Sequence, residues 1–169
     1  MKFNFSVDHT IPGQGAFDPF TNDFKFKDDG AIIRDVFTEE FFHAYQKIYY
    51  PGGTAQYVAT TSNPNPPAGR ANMEFEAWLM RDIMGMTGTQ QSPPSSGCCH
   101  ASADPQYFLW LTTITNNGAK WPQWSDMQEK YYFWMDRFKA EHPIYNFPTN
   151  YNLKPDAYLS ILANSTCPK

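Results

Sequence analysis

The chain has 169 residues, of which 17% are aromatic and 18% charged, and its formal net charge at pH 7 is −4. This length suits one domain with a sizeable hydrophobic core. No run of Lys and Arg is present, which argues against nucleic acid or an anionic membrane as a partner because both require a clustered basic patch. No apolar run approaches the roughly 20 residues of a membrane-spanning helix.

The first 36 residues predict a small antiparallel β element. Residues 2–7 and 23–27 alternate apolar and polar side chains, as half-buried strands do. A turn signal at residues 28–30 then predicts a short return strand at residues 31–33. The intervening residues 8–22 are rich in Pro and Gly and are expected to form a loop.

The remaining residues predict about five helices. Thr38 is the expected N-cap of the first helix, Asn72 that of the second, and Asp104 followed by Pro105 marks the start of the third. Ser125 and Gln128 have the spacing of a capping box at the start of the fourth. The expected helices span residues 38–49, 72–84, 104–116, 125–140 and 155–163.

These elements predict one α-rich α+β domain over residues 1–169, β-rich at residues 1–36 and helical at residues 37–169. The Pro/Asn-rich segment at residues 62–68 is interpreted as a surface loop within that domain. Trp134 lies in the middle of the strongest amphipathic stripe, formed with Met127, Tyr131, Met135 and Phe138, so we expect it to be buried and structural.

Three cysteines occur, at Cys98, Cys99 and Cys167. Adjacent cysteines rarely bond to each other, so a disulfide would join Cys98 or Cys99 to Cys167, although three reduced thiols also fit the odd count. Cys98, Cys99 and His100 form a single cluster, whereas a zinc site usually needs two spaced pairs of ligands. We therefore expect neither a metal nor a cofactor, and the residues suggest no catalytic group.

The start of the chain lacks the apolar segment of a signal peptide, so none is expected in this sequence. A leader that was removed and replaced by a start Met remains an open alternative. The Asn164-Ser165-Thr166 sequon is weak support for export.

Residues 101–109, Ala-Ser-Ala-Asp-Pro-Gln-Tyr-Phe-Leu, resemble the segment that opens the last copper-binding helix of the tyrosinase and haemocyanin family. Residues 75–88 are similar to an earlier helix of that family and its exit. Two departures remove the ligands: Trp110 and Leu111 stand where the family has histidines, and Glu76 and Met80 stand at its histidine pair. The resemblance therefore implies common ancestry without copper ligands, and it does not imply oxidase activity.

The sequence favours a non-enzymatic binding or structural and assembly protein that uses exposed aromatic and Asn/Pro-rich loops. The expected contact residues are Trp121, Trp124, Tyr49 and Tyr50, because rings held by stiff loops lose little entropy on binding. The expected partner is a protein or another copy of the chain, and a carbohydrate is a further option. The alternative is an enzyme, either a diverged copper-oxidase relative or a hydrolase using His and carboxylates. An extracellular or virion-associated location is expected, with a cytoplasmic one left open.

Overall fold

The computed structural model of the chain describes residues 2–88 and 104–164. These ranges contain six α-helices and a three-stranded sheet, which confirms the predicted α-rich α+β class. Two compact units are present: unit 1 is Met1–Pro66 and unit 2 is Pro67–Lys169. The division falls within the Pro/Asn-rich segment and not at the change from β-rich to helical sequence at residue 36. That the whole chain forms a single domain stays a prediction.

The sheet of unit 1 is mixed and not purely antiparallel. Its strands are β1 (Asn4–Val7), β2 (Gly15–Asp18) and β3 (Asp23–Phe26), in the order β1-β3-β2. The central strand β3 runs parallel to β1 and antiparallel to β2. Phe24 and Phe26 of β3 are almost fully buried, because alternate side chains of a strand share one face.

The strand predicted at residues 31–33 and the loop predicted over residues 15–18 are both corrected. Asp29–Ala31 forms a 3-10 turn, because the Asp28 carboxylate accepts the Ala31 N–H at 2.9 Å. β2 lies inside the expected loop. A Cβ on Gly15 would lie only 2.6 Å from Val36 Cγ1, so the absence of a side chain lets this strand pack closely against the following helix.

That helix, α1 (Arg34–Tyr49), begins four residues before its predicted cap. Thr38 lies inside the helix, and its hydroxyl donates to the Arg34 carbonyl at 2.8 Å. The helix starts after Ile33, whose side chain makes no capping hydrogen bond. Packing of the apolar face therefore extends α1 beyond the local capping signal. A short 3-10 turn, Thr54–Tyr57, completes unit 1.

All of the regular secondary structure in the described residues of unit 2 is helical. Its helices are α2 (Arg70–Met86), α3 (Pro105–Ile114), α4 (Trp124–Met127), α5 (Tyr131–Glu141) and α6 (Asp156–Asn164), with a 3-10 turn at Pro143–Tyr145. α2 packs against α3 and α5 and is the central element. None of the helices in the described ranges is long and apolar enough to cross a bilayer.

Two predictions for the helix starts of unit 2 have opposite outcomes. Asp104 caps α3 as expected, accepting the N–H groups of Gln106 at 2.9 Å and Tyr107 at 3.3 Å, with Pro105 in the first turn. Asn72 is instead a buried residue inside α2. Its amide nitrogen donates to the carbonyl oxygens of Asn150 and Leu153, and its oxygen accepts the Asn150 N–H.

The single helix predicted at residues 125–140 is broken into α4 and α5. The first turn of α4 is closed by Asp126, whose carboxylate accepts the Gln123 N–H at 2.7 Å, and not by a Ser125–Gln128 box. The prediction for the core is confirmed, since Trp134 of α5 is only 3% exposed. Its ring lies edge-on to Tyr107 of α3, with centroids 5.1 Å apart.

Candidate binding surface

Trp124, the first residue of α4, is half-buried and is held by tyrosines of α5. Its ring lies edge-to-face with Tyr131 at a centroid distance of 5.5 Å and with Tyr132 at 6.3 Å. Tyr131 is fully buried. These contacts fix the indole against the core while leaving part of it at the surface.

Two further tyrosines extend this surface. Tyr132 is half-buried, and its ring lies 5.6 Å from that of Tyr151, at 63°. Tyr151 is 57% exposed, and its hydroxyl donates to the Asp136 carboxylate at 2.9 Å. We name the set of Trp124, Tyr131, Tyr132 and Tyr151 the aromatic array. Trp124, Tyr132 and Tyr151 present a row of preoriented rings supplied by α4, α5 and the loop before α6, and the buried Tyr131 supports Trp124 and Tyr132 from below.

Charged groups border the aromatic array. The Lys154 ammonium lies 5.7 Å from the Trp124 ring centroid, within the range of a cation–π interaction. The hydrogen bond to Asp136 raises the pKa of Tyr151, while burial, together with the negative charge of Asp156, raises the pKa of Tyr132. The Tyr132 hydroxyl donates to the Leu153 carbonyl at 3.4 Å, and the Tyr151 hydroxyl donates to the Asp136 carboxylate.

Trp121 has a separate support on α6. Its ring is stacked on Tyr158 with centroids 6.1 Å apart and an interplanar angle of 18°. Tyr158 is buried, its hydroxyl donates to the Pro122 carbonyl at 2.8 Å, and burial strongly raises its pKa. Trp121 is half-buried like Trp124, so both predicted tryptophans combine a fixed position with partial exposure.

Tyr49 and Tyr50 belong to unit 1 and differ in exposure. Tyr49 is 40% exposed and stacks on Tyr45 at 4.2 Å. Tyr50 is only 2% exposed, because it follows the last residue of α1 and its side chain enters the core of unit 1. The surface role expected for Tyr50 is therefore corrected: its ring is a packing group.

The sequence did not identify Tyr132 and Tyr151 as surface residues of the array, nor the charged residues that border it. Tyr132, Tyr151, Asp136 and Lys154 are brought together by folding of unit 2. One signal was present: neighbouring residues on a helix point about 100° apart, so the Tyr131-Tyr132 pair had to place one ring away from the core. The contribution of Tyr151 depends on a loop whose position no local pattern indicates.

A groove of about 650 Å³ lies beside the start of α3 and along α5. Trp134 contributes to its wall, and Phe133 at its edge is 57% exposed. Arg137 lines the groove, and its guanidinium lies 3.5 Å from the Asp104 carboxylate and 3.1 Å from that of Glu141. The charged group of the groove therefore already has two carboxylate partners.

The predicted disulfide residues Cys98, Cys99 and Cys167 lie outside the described residues, as does His100. The disulfide stays a prediction. Within residues 2–88 and 104–164, no three His, Cys, Asp or Glu side chains are grouped as a metal site would require. His43 contacts Gln46 at 2.8 Å, and His142 packs against Trp78 and Phe138.

The positions that correspond to copper ligands in the tyrosinase-like resemblance are all buried. Glu76 is 1% exposed, and its carboxylate accepts the Tyr158 N–H at 2.8 Å, in the first turn of α6. Met80, Trp110 and Leu111 belong to the apolar core. Glu76 therefore caps the start of α6, and the other three side chains pack in the core. The relationship to the tyrosinase and haemocyanin family stays a prediction.

No protein-family model matches the chain, and comparisons with curated proteins and with solved structures give no match either.

Proposed function

We propose that this protein is a non-enzymatic binding or assembly protein and that the aromatic array is its contact surface. The observation that carries the proposal is the row formed by Trp124, Tyr132 and Tyr151, whose rings are partly exposed and held by defined contacts. A ring that is already positioned loses little conformational entropy when a partner stacks on it. Trp and Tyr are also the residues that most often dominate binding energy.

A carbohydrate chain is the ligand class that this surface fits best among the predicted partners. Sugar rings have apolar faces that stack on aromatic rings, and their hydroxyl edges need hydrogen-bond partners. The Asp136 carboxylate lies beside Tyr151, and the Lys154 ammonium lies beside Trp124. The array therefore places an acceptor beside the Tyr151 hydroxyl and a donor over one face of the Trp124 ring.

The test is retention of the purified chain on cellulose, chitin, xylan and starch, compared with variants. We expect Trp124→Ala and Tyr151→Ala to weaken retention at least about tenfold, whereas Phe133→Ala should bind like the parent. Phe133 is the matched control because it is an exposed ring on α5 outside the array. Tyr151→Phe keeps the ring and should lose only part of the retention.

A parent chain that passes through every polysaccharide column would contradict the carbohydrate proposal. If folded Trp124→Ala and Tyr151→Ala proteins bind as the parent does, the array is not the contact surface. Equal losses in Phe133→Ala would indicate either binding at the neighbouring groove, which Phe133 lines, or general adhesion through exposed rings, and both contradict the proposal.

The competing function is an enzyme, and it predicts a different property of the purified protein. A copper-oxidase relative requires stoichiometric copper, and a hydrolase that uses His and carboxylates has the ligand types that hold zinc. Metal analysis by mass spectrometry, with the protein isolated without chelators, separates the two. Stoichiometric copper or zinc would favour the enzyme over the proposed binding protein.

A further inference from the structure

Strand β1 has one edge that is unpaired within the described part of the chain. In the sheet order β1-β3-β2, β1 is an outer strand. The Asn4 N–H donates to the Asn22 carbonyl at 3.3 Å, and the Asp8 N–H donates to the Phe26 carbonyl at 2.8 Å. Successive residues of a strand direct their backbone groups to opposite sides. The N–H and C=O groups of Phe5 and Val7 therefore face away from β3.

Apart from its short length of four residues, this edge lacks the features by which edge strands usually avoid pairing. Proteins protect such edges with charged side chains, Pro or bulges. β1 reads Asn-Phe-Ser-Val, and all four residues are exposed. Its register with β3 runs without a bulge from Asn4 to Val7. The strand is therefore an open template for a further strand.

The two faces of β1 are chemically different. Phe5 is 59% exposed, yet it stacks on the buried Phe24 at 5.0 Å and on Phe37 at 6.2 Å. Val7 lies on the same face as Phe5 and is 42% exposed. Asn4 and Ser6 lie on the opposite, polar face. A strand added here would cover exposed apolar surface on one face only.

We propose that the protein forms a homodimer by antiparallel pairing of β1 with β1 of a second copy. A twofold axis at Ser6 places Phe5 opposite Val7 of the second copy, and Val7 opposite its Phe5. These are the two residues with outward-facing backbone groups, so each pair exchanges both N–H···O bonds. The result is a continuous six-stranded sheet with a closed, isologous interface.

Side-chain complementarity favours a second copy over an unrelated strand. In this register the polar face places Asn4 opposite Asp8 of the second copy, and Lys2 lies diagonally from the same Asp8. Diagonal neighbours across an antiparallel pair are about 7–8 Å apart, within reach of a lysine. The twofold axis repeats this pair, so each Lys2 adds a second cation to an Asp8 carboxylate that already accepts hydrogen bonds from Thr10 and lies 3.7 Å from Lys25 Nζ. On the apolar face, Phe5 meets Val7, a favourable aromatic and β-branched pair.

The pairing is short, so the dimer is expected to be weak. It involves four residues per strand. The surface that it buries is therefore smaller than the ~1,600 Å² of a standard protein–protein interface. We expect a dimer dissociation constant in the micromolar to millimolar range. In this range the fraction of chains in the dimer depends on ionic strength and on the local protein concentration. This inference is independent of the aromatic array, because it depends on unit 1 alone.

The test combines sedimentation velocity of the full chain over a wide concentration range with hydrogen exchange. The parent should dimerise as its concentration rises, and the Phe5 and Val7 amides should become protected together. Val7→Pro removes an outward N–H and leaves the β1–β3 hydrogen bonds intact, so it should raise the dimer dissociation constant at least about tenfold. Val7→Thr, which keeps the N–H, is the matched control and should dimerise as the parent does.

A second variant keeps the test decisive if Val7→Pro does not fold. Phe5→Lys places a charge on the edge and should also favour the monomer, with an unchanged circular dichroism spectrum. The proposal is overturned if the parent is monomeric at millimolar concentration, or if folded Val7→Pro and Phe5→Lys proteins dimerise as the parent does. It is also overturned if Trp124→Ala abolishes dimerisation while the two edge variants do not.

Discussion

The buried polar side chains of α2 organise the surface that we assign to binding. Asn72 is fully buried and holds the loop at residues 150–153 through both ends of its amide. Glu76, one turn later, accepts the Tyr158 N–H in the first turn of α6, where a negative charge is favourable. A buried polar group is costly unless it is hydrogen-bonded, so each of these residues specifies one arrangement of its neighbour. The loop that carries Tyr151 is thereby positioned from inside the helical core.

Trp134 provides the simplest test of the core at the residue scale. Trp134→Ala should lower the free energy of unfolding by roughly 3–5 kcal/mol, because it removes a large ring that packs on Tyr107 and Trp110. Urea denaturation gives the value. Leu109→Ala is the control, since Leu109 is 56% exposed and its loss should change stability little. An unchanged urea midpoint for Trp134→Ala would show that this ring does not belong to the core.

Asp126 predicts a pH-dependent contribution to stability. The hydrogen bond from Lys120 at 2.9 Å, with that from the Gln123 N–H, holds the pKa of Asp126 below its ordinary value of 3.8. A carboxyl with a lowered folded-state pKa stabilises the fold above its unfolded pKa and loses that effect as the pH falls through the folded one. Asp126→Asn should therefore destabilise by about 0.5–2 kcal/mol at pH 7.

The pH dependence distinguishes the contribution of the Asp126 charge to stability from that of side-chain packing. The difference in urea midpoint between the parent and Asp126→Asn should shrink as the pH falls below 3.8 and through the lowered folded-state pKa, because the carboxyl is protonated first in the unfolded parent and then in the folded one. Glu129→Gln, at an exposed carboxylate in the same region, serves as the control. A difference that is constant from pH 7 to pH 2.5 would contradict the proposed role of the charge.

At the scale of elements, apolar periodicity predicted which segments are helical better than it predicted where they begin. The stripe through Tyr131, Trp134 and Phe138 placed α5 in the core correctly. The capping signals failed for different reasons. Thr38 bonds to the Arg34 carbonyl within a helix that begins earlier, and Asn72 bonds to the distant Asn150. At the start of α4, Gln123 and Asp126 form the cap in place of Ser125. A local pattern identifies a face but not the partner that extends, breaks or caps the element.

The sheet shows the same limit. The strand at residues 23–27 was predicted from its alternation of apolar and polar side chains. In contrast, β2 contains Gly15 and Ala16 and has little intrinsic strand preference. It pairs because β3 and α1 supply neighbours on two sides. The parallel pairing of β1 with β3 depends on chain topology, which alternation does not encode.

The turn after α3 makes a prediction at this scale. Gly118 has φ +82°, and a Cβ there would lie 2.1 Å from the Met86 carbonyl oxygen at the end of α2. Gly88 has a similar φ of +69°, yet no described atom lies within 4 Å of its Cβ position. Gly88→Ala should therefore cost only about 1–2 kcal/mol of backbone strain. Gly118→Ala should cost at least about 1 kcal/mol more, because the backbone of α2 must also move.

Thermal or urea unfolding of the two glycine variants, measured side by side, checks this comparison. Each variant introduces the same methyl group at a left-handed residue, so the difference isolates the close approach of the two segments. Equal losses of stability would show that Met86 and Gly118 are not in contact.

On the scale of the whole molecule, the two units carry different kinds of surface. Unit 1 has an open strand edge next to exposed phenylalanines, and unit 2 has the aromatic array. Trp121 and Trp124 were expected at the surface from their position before a helix, and both are half-buried there. The rest of the array joins residues far apart in the chain, and Asn72 reaches Asn150 across 78 positions. Such contacts depend on the assembled core, so the chain order alone did not reveal them.

The most direct test of the proposed binding surface is to observe the five tryptophan indole N–H signals by ¹H–¹⁵N NMR during titration with an oligosaccharide. The sugar is taken from the polysaccharide that retains the parent chain, and single Trp→Phe variants assign the signals. If the aromatic array is the binding surface, the Trp124 signal should shift in a saturable manner while the signals of the buried Trp110 and Trp134 stay in place. Saturable shifts that leave Trp124 unchanged and fall on other tryptophans would contradict the assignment of the aromatic array as the binding surface.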